Sequence, residues 1–193
     1  MSNWSFQANQ SITLDGEWNF YPNQLLTPNN IDSVKKQMTT VPNSWENTLH
    51  QTNQIDPYGS GTYHLKVILP ETDHHLYGIR MKNVTTAANV FINGELYHSF
   101  NDVGKNNKGK AMERGPFRTI FHTEGNTVDI VIQVSNYEIP FFGGITESIQ
   151  FGTYQAIERE ASFNSTLQIV VSIIYLLHCM YVLILYFIGR GHS

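Results

Sequence analysis

The chain is poor in cysteine and in charge, and both shortages are uneven. One cysteine, Cys179, occurs among 193 residues. No disulfide can form within the chain, so its stability must come from a packed core. Charged residues make up 15% of the sequence, against roughly 25% in an ordinary soluble domain. The deficit lies at one end: no Asp, Glu, Lys or Arg occurs from Ala161 to Gly189. The N-terminal Met-Ser-Asn-Trp-Ser-Phe-Gln has neither a basic start nor an apolar run, so it does not read as a signal peptide. Either export relies on the C-terminal apolar segment or Met1 follows a trimmed leader, and trimming is the favoured reading. All 16 acidic residues precede Ala161, and of the 12 Lys and Arg only Arg190 follows it. The part before Ala161 is therefore mildly acidic, a poor electrostatic match for nucleic acid.

Metal and catalytic signatures are also scarce. His74 and His75 are adjacent, so on a strand they point to opposite faces and cannot clasp one ion. No Cys-x-x-Cys or His-Glu-x-x-His spacing occurs. Glu17, Glu46, Glu113 and Glu147 are scattered, and nothing marks two of them as a catalytic pair. The stretch from Gly104 to Lys110 is rich in Gly, Lys and Asn but lacks the order of a phosphate-binding loop, and reads as a surface loop. No catalytic residue, no metal-ligand set and no cofactor is expected.

What the chain does have is a long apolar run. From Leu167 to Ile188 only Gln168, Ser172 and His178 fall outside the apolar set, and no polar face is evident. As a helix it is about 33 Å long, against about 30 Å of hydrocarbon in a bilayer. A transmembrane helix is expected, with Tyr186 as an interfacial anchor. Arg190 and His192 follow it, whereas Glu158, Arg159 and Glu160 precede it with a net negative charge. The positive-inside rule then puts residues 1–160 outside the cytoplasm and 161–193 in and just beyond the membrane.

The rest reads as strands. Tyr63, Leu65, Val67 and Leu69 alternate with His64 and Lys66. Tyr77, Ile79 and Met81 alternate with Gly78 and Arg80. Val128, Ile130, Ile132 and Val134 alternate with Asp129 and Gln133. Asn93-Gly94 between two apolar runs marks a hairpin. One short helical stretch is expected around Ile31–Met38. Many short strands with frequent turns predict an all-β sandwich of jelly-roll type, followed by one C-terminal transmembrane helix. Folds of this kind often hold one structural Ca²⁺ on loop oxygens, and the sequence does not locate such a site.

Sugar recognition needs an aromatic face beside directional polar groups. Trp45 and Tyr58, and also Phe141 and Phe142, lie in segments rich in Gly, Pro and Asn. Trp18 and Phe20 read instead as strand core. Asp102 and Arg114 flank the long loop and are the best polar candidates. The expected ligand site is therefore Trp45, Tyr58, Asp102 and Arg114, with core packing the competing role for Trp45 and Tyr58.

The order of several pieces carries a resemblance. Leu14-Asp15-Gly16-Glu17-Trp18-Asn19-Phe20 comes first, then Val41-Pro42-Asn43-Ser44-Trp45, then Tyr58-Gly59-Ser60-Gly61-Thr62-Tyr63. Ala88 through Glu95, Asn126 before a Val/Ile strand, and Phe142-Gly143-Gly144-Ile145 follow. The series, from about Leu14 to Gly152, resembles the N-terminal sugar-binding jelly roll of family 2 glycoside hydrolases, the β-galactosidase and β-glucuronidase family. In that family the catalytic glutamates lie in a later barrel domain, and they have no counterpart here. Phe151-Gly152-Thr153-Tyr154, Ile157-Glu158-Arg159-Glu160 and Leu185 to Arg190 resemble the junction in bacterial seven-transmembrane receptors with diverse intracellular signalling modules. That resemblance implies a jelly-roll ectodomain for a small-molecule or carbohydrate ligand, with further membrane helices as partners. A fragment of a family 2 hydrolase, and a module that only packs on its neighbours, are the competing readings.

Overall fold

A computed structural model describes residues 10–45, 58–69, 76–84, 86–104, 114–137 and 143–190. The strands are β1 (Ser11–Thr13), β2 (Gly16–Pro22), β3 (Gln37–Val41), β4 (Asn43–Ser44), β5 (Gly59–Ile68) and β6 (Leu76–Val84). They continue with β7 (Ala87–Ile92), β8 (Glu95–Phe100), β9 (Gly115–His122), β10 (Thr127–Asn136), β11 (Gly144–Ile145) and β12 (Ile149–Thr153). A single long helix, α1 (Tyr154–Arg190), follows. One sheet has six strands in the order β3-β2-β5-β10-β7-β8, the other four in the order β1-β12-β6-β9, and β4 and β11 form a separate pair. The architecture is the expected β-sandwich with one C-terminal helix.

The two sheets face each other across one apolar core. Val128, Ile130, Ile132 and Val134 of β10 point into it, every second residue, and all are buried. Tyr77, Ile79 and Met81 of β6 and Ile149 and Phe151 of β12 meet them from the other sheet. The Tyr77 and Phe151 rings stack with centroids 5.5 Å apart. Trp18 and Phe20 are core, as their strand-like setting predicts, and the Trp18 indole N–H donates to the Leu14 carbonyl at 2.9 Å. Asn93 and Gly94 both take positive φ, 49° and 89°, the turn that matches the twist of a two-residue hairpin between β7 and β8.

The helical stretch expected at Ile31–Met38 is corrected. Only Ile31–Ser33 forms a 3-10 turn, whereas Gln37 and Met38 belong to edge strand β3, paired with Phe20 and Asn19 of β2. Strand pairing with β2 outweighs the local preference there.

α1 begins with no linker after β12, so the expected division between residues 160 and 161 falls inside the helix. Thr153 caps its first turn, its hydroxyl accepting from the Ala156 N–H at 3.4 Å. The first turns lie on the outer face of the four-stranded sheet. Ile157 is fully buried over Gly78, where a Cβ would come within 3.1 Å of the isoleucine side chain. The Ser11 hydroxyl donates to the Glu160 carboxylate, and Arg118 reaches Glu158 at 3.3 Å. From Phe163 onward the apolar side chains are exposed. The helix is long and apolar enough to cross a membrane, and no other described residue covers its most apolar stretch.

If Ile157 seals the outer face, Ile157→Ala in the full chain should lower the unfolding free energy by about 2–5 kcal/mol. A chain ending at residue 160 should melt cooperatively, and one ending at residue 153 should melt at lower temperature. Equal melting of the two truncated chains, followed by circular dichroism, would count against this seal.

Candidate functional site

Strand register gathers several loop-borne residues at one end of the sandwich. Gly59 at the start of β5 pairs with Asn136 at the end of β10. Ser135 pairs with Ala87 at the start of β7, and Ala88 with Phe100 at the end of β8. Gly115 at the start of β9 pairs with Val84 at the end of β6. Tyr58, Asp102 and Arg114 lie just outside these strand ends, so the topology brings three of the four expected site residues to the same end. All three are exposed, Tyr58 by 40%.

Trp45 takes the packing role instead. It is 2% exposed, belongs to the core, and has no face to offer a ligand. The physical reason is the clip formed by β4 and β11, where the Trp45 N–H donates to the Gly143 carbonyl at 2.9 Å. Gly144 permits this closure: its φ is +97°, and a Cβ would come within 3.0 Å of Trp45 and 2.9 Å of the Tyr63 hydroxyl. Under the clip the indole N–H donates to that hydroxyl at 2.7 Å. Phe20 completes the cluster, its ring centroid 4.7 Å from that of Tyr63 and 6.5 Å from that of Trp45. Burial pushes the Tyr63 phenol well above its usual range, against a smaller opposing effect of its hydrogen bonds.

A cavity of about 20 Å³ opens beside the clip, between Met81, Asn83, Thr86, Ile145, Thr146 and Glu147. That is room for a water molecule and not for a sugar ring. His74, His75, Glu46, Glu113, Phe141, Phe142 and the stretch from Lys105 to Lys110 lie outside the described residues. Among the described residues no three His, Cys, Asp or Glu side chains stand close enough to hold a metal.

The outer face of the six-stranded sheet carries polar features that alternation alone did not reveal. Thr62, Gln133, Asn89 and Ser99 stand directly opposite one another on β5, β10, β7 and β8. Ser99 donates to Asn89 at 2.6 Å, Asn89 to Gln133 at 2.8 Å, and Gln133 to the Leu26 carbonyl at 3.0 Å. Thr62 accepts from the Leu26 N–H at 2.9 Å and donates to the Gln24 carbonyl at 2.7 Å. The row straps the 24–34 segment over the sheet, where Leu26 and Ile31 cover Tyr21 and Val131. Burial, with Asp32 and Asp129 adding to it, raises the Tyr21 phenol. Nearby, His64 Nε2 lies 2.6 Å from Asp129, and its buried Nδ1 has no partner among the described residues. The sequence signal for this row is the polar residue at each register-matched position, readable only once strand pairing is known.

No family model matches the sequence, and no curated protein does. Solved structures match its fold. A GH2 β-galacturonidase from Eisenbergiella tayi, bound to galacturonate, aligns over 79% of this chain and 26% of its own, with a TM-score of 0.52 and 14% identity. A β-glucuronidase from Faecalibacterium prausnitzii aligns over 79% and 33%, with a TM-score of 0.51 and 18% identity. One from an uncultured Clostridium aligns over 78% and 30%, with a TM-score of 0.54 and 16% identity. The chain therefore shares its fold with a domain of GH2 enzymes and spans about a third of their length or less.

The Trp45–Tyr63 pair sets a measurable alkaline limit. Tyr63 keeps its proton in the folded state at pH values where the unfolded chain, with its phenol near the usual 10.0, has lost it. Stability should be insensitive to Tyr63 below about pH 10 and fall as pH rises above it. Tyr63→Phe should remove that share of the alkaline slope. It should also cost about 1–3 kcal/mol at neutral pH by orphaning the indole N–H. Denaturant titrations from pH 8 to pH 11 check both effects.

Proposed function

We propose that this chain is a non-catalytic carbohydrate-recognition module of the GH2 jelly-roll type, held at a membrane by α1 with residues 1–160 on the extracytoplasmic side. The observation that carries the reading is the shared fold. It covers the sandwich of this chain and a minor part of each GH2 enzyme, and the chain then continues into an apolar helix. The proposed ligand surface is the loop end bearing Tyr58, Asp102 and Arg114. The Tyr58 ring offers an apolar face for sugar C–H groups, Asp102 accepts from hydroxyls, and the Arg114 guanidinium suits a sugar carboxylate. Trp45 contributes beneath this surface by fixing the β4–β11 clip.

The direct run of β12 into α1 favours a finer reading within this one, a ligand-sensing ectodomain of a membrane receptor. A sensor must pass strain from its ligand site to the membrane, and a helix seated on the sandwich by Ile157 and Glu160 leaves no slack in that path. Under this reading, ligand should alter hydrogen exchange over residues 154–166, whereas an accessory binding module would leave it unchanged.

With the full chain in detergent micelles, glucuronate, galacturonate and galactose oligomers should bind with millimolar to micromolar affinity, about 4–8 kcal/mol. Tyr58→Ala should weaken all of them. Arg114→Ala should weaken the uronates selectively, with the melting transition intact in both variants. Isothermal titration measures each. Failure of every sugar to bind, or hydrolysis of nitrophenyl β-glucuronide abolished by substitution of one glutamate, would sink the proposal.

A further inference from the structure

Among the described residues three other than glycine take a positive φ, and all are asparagines: Asn23 at 57°, Asn93 at 49° and Asn101 at 57°. Asparagine enters this region more readily than most side chains, because its short amide can bond to nearby backbone. Asn93 does so. Its Oδ1 accepts from the Asp129 N–H at 2.9 Å, tying the β7–β8 turn to β10. Asn23 differs. Its backbone N–H donates to the Ser60 carbonyl at 2.8 Å, continuing the pairing of β2 with β5 beyond Pro22 and Gly61. The residue is exposed, and its side-chain amide has no hydrogen-bond partner among the described residues. A glycine would meet the backbone demand of this turn alone.

Contacts on two sides fix the place of this turn. A Cβ on Gly59 would stand 3.5 Å from Asn23 Oδ1, so the amide lies alongside the backbone that directly follows Tyr58. Two residues on, Leu25 packs on Gly104, where a Cβ would come within 2.7 Å of the leucine side chain. Gly104 is itself held to β10, its N–H donating to Ser135 at 3.0 Å. The stretch from Asn23 to Leu25 is thus seated between the segment bearing Tyr58 and the loop bearing Asp102. Neither composition nor alternation marks Asn23 as part of this end; the register of β2 on β5 delivers it there.

A primary amide carries an acceptor oxygen and two N–H donors side by side. Two hydroxyls on neighbouring ring carbons offer the matching pair, one donating to the oxygen and the other accepting from the nitrogen. A carboxylate cannot do the same, since it only accepts. An aromatic ring beside the amide takes the C–H face of the same sugar. We propose that Asn23 belongs to the ligand site and recognises a vicinal pair of hydroxyls on a pyranose seated on Tyr58. This rests on the reading of that end as a sugar site, and narrows the ligand to sugars with two adjacent free hydroxyls.

The test is isothermal titration of the full chain in detergent micelles. The probes are methyl β-galactopyranoside, methyl β-glucuronide and the analogues of each that lack one ring hydroxyl. Asn23→Gly keeps the φ that the turn needs and removes the amide. It should weaken both glycosides about tenfold and melt as the wild type does. The wild type should also weaken when either of two adjacent hydroxyls is missing, and Asn23→Gly should be indifferent to those same two. A merely structural role for Asn23 would not produce that indifference. Asn93→Gly, at the opposite end of the sandwich, should lower the melting temperature and leave binding unchanged. Binding that Tyr58→Ala weakens and Asn23→Gly leaves intact overturns the proposal but spares the sugar site. So does an Asn23→Gly variant that stays as sensitive as the wild type to every missing hydroxyl, and so does a wild type that binds sugar oligomers but neither glycoside. A wild type that binds no sugar at all ends the sugar reading and this inference together.

Discussion

The structure depends on covering both faces of β10. This strand runs ten residues in register with β5 and pairs with β7 on its other edge. Its inner side chains are the centre of the core, but its outer side, with Val131, Gln133 and Ser135, is buried as well. A half-wet antiparallel sheet needs only one apolar face. Here the second face must also be sealed, and the segment after β2 supplies the cover. Because that segment brings backbone amides and carbonyls over the sheet, the sheet must offer polar partners in return. The row of Thr62, Gln133, Asn89 and Ser99 meets this need. Gly104, whose N–H donates to Ser135 at 3.0 Å, ties the loop after β8 to the same strand. The end of the sandwich that bears Asp102 is thereby anchored to its centre.

The four-stranded sheet solves the same problem differently. Its outer face is covered by the first turns of α1, with Gly78 leaving the space that Ile157 fills. Helix and sandwich are thus one packing unit up to about Glu160 and part company only afterward. The ion pair between Arg118 and Glu158 sits half in solvent and adds little; the buried isoleucine holds the joint.

Much of this was legible in the sequence, because alternation reports directly on a sheet with one wet face. The strands around Tyr63, Tyr77 and Ile130 and the turn at Asn93-Gly94 follow from it. What escaped were features fixed by partners distant in the chain. Trp45 sits in a Pro- and Asn-rich stretch that reads as loop, and only the arrival of Gly144 a hundred or so residues later buries it. His64 lies on the polar side of its strand by alternation, yet it is buried, opposite Val131 and against Asp129. The start of α1 at Tyr154 was hidden because its first turns are charged on one side and offer only Ala156 and Ile157 as buried apolar residues. The end of the sandwich carrying Tyr58, Asp102 and Arg114 was reached from loop composition. The common location of the three required the pairings of β5, β7, β9 and β10.

The uninterrupted passage from β12 to α1 also fixes a clearance. With α1 in a bilayer as proposed, the sandwich lets go of the helix near Glu160 and the apolar run begins at Leu167. The intervening residues rise only about 9 Å, little more than the thickness of one headgroup layer. The domain therefore stands on the lipid surface with no stalk beneath it. β12 hands over to α1 beside Tyr77 at the start of β6, whereas the loops bearing Tyr58, Asp102 and Arg114 lie at its Val84 end, so helix exit and proposed ligand surface sit at opposite ends of that strand.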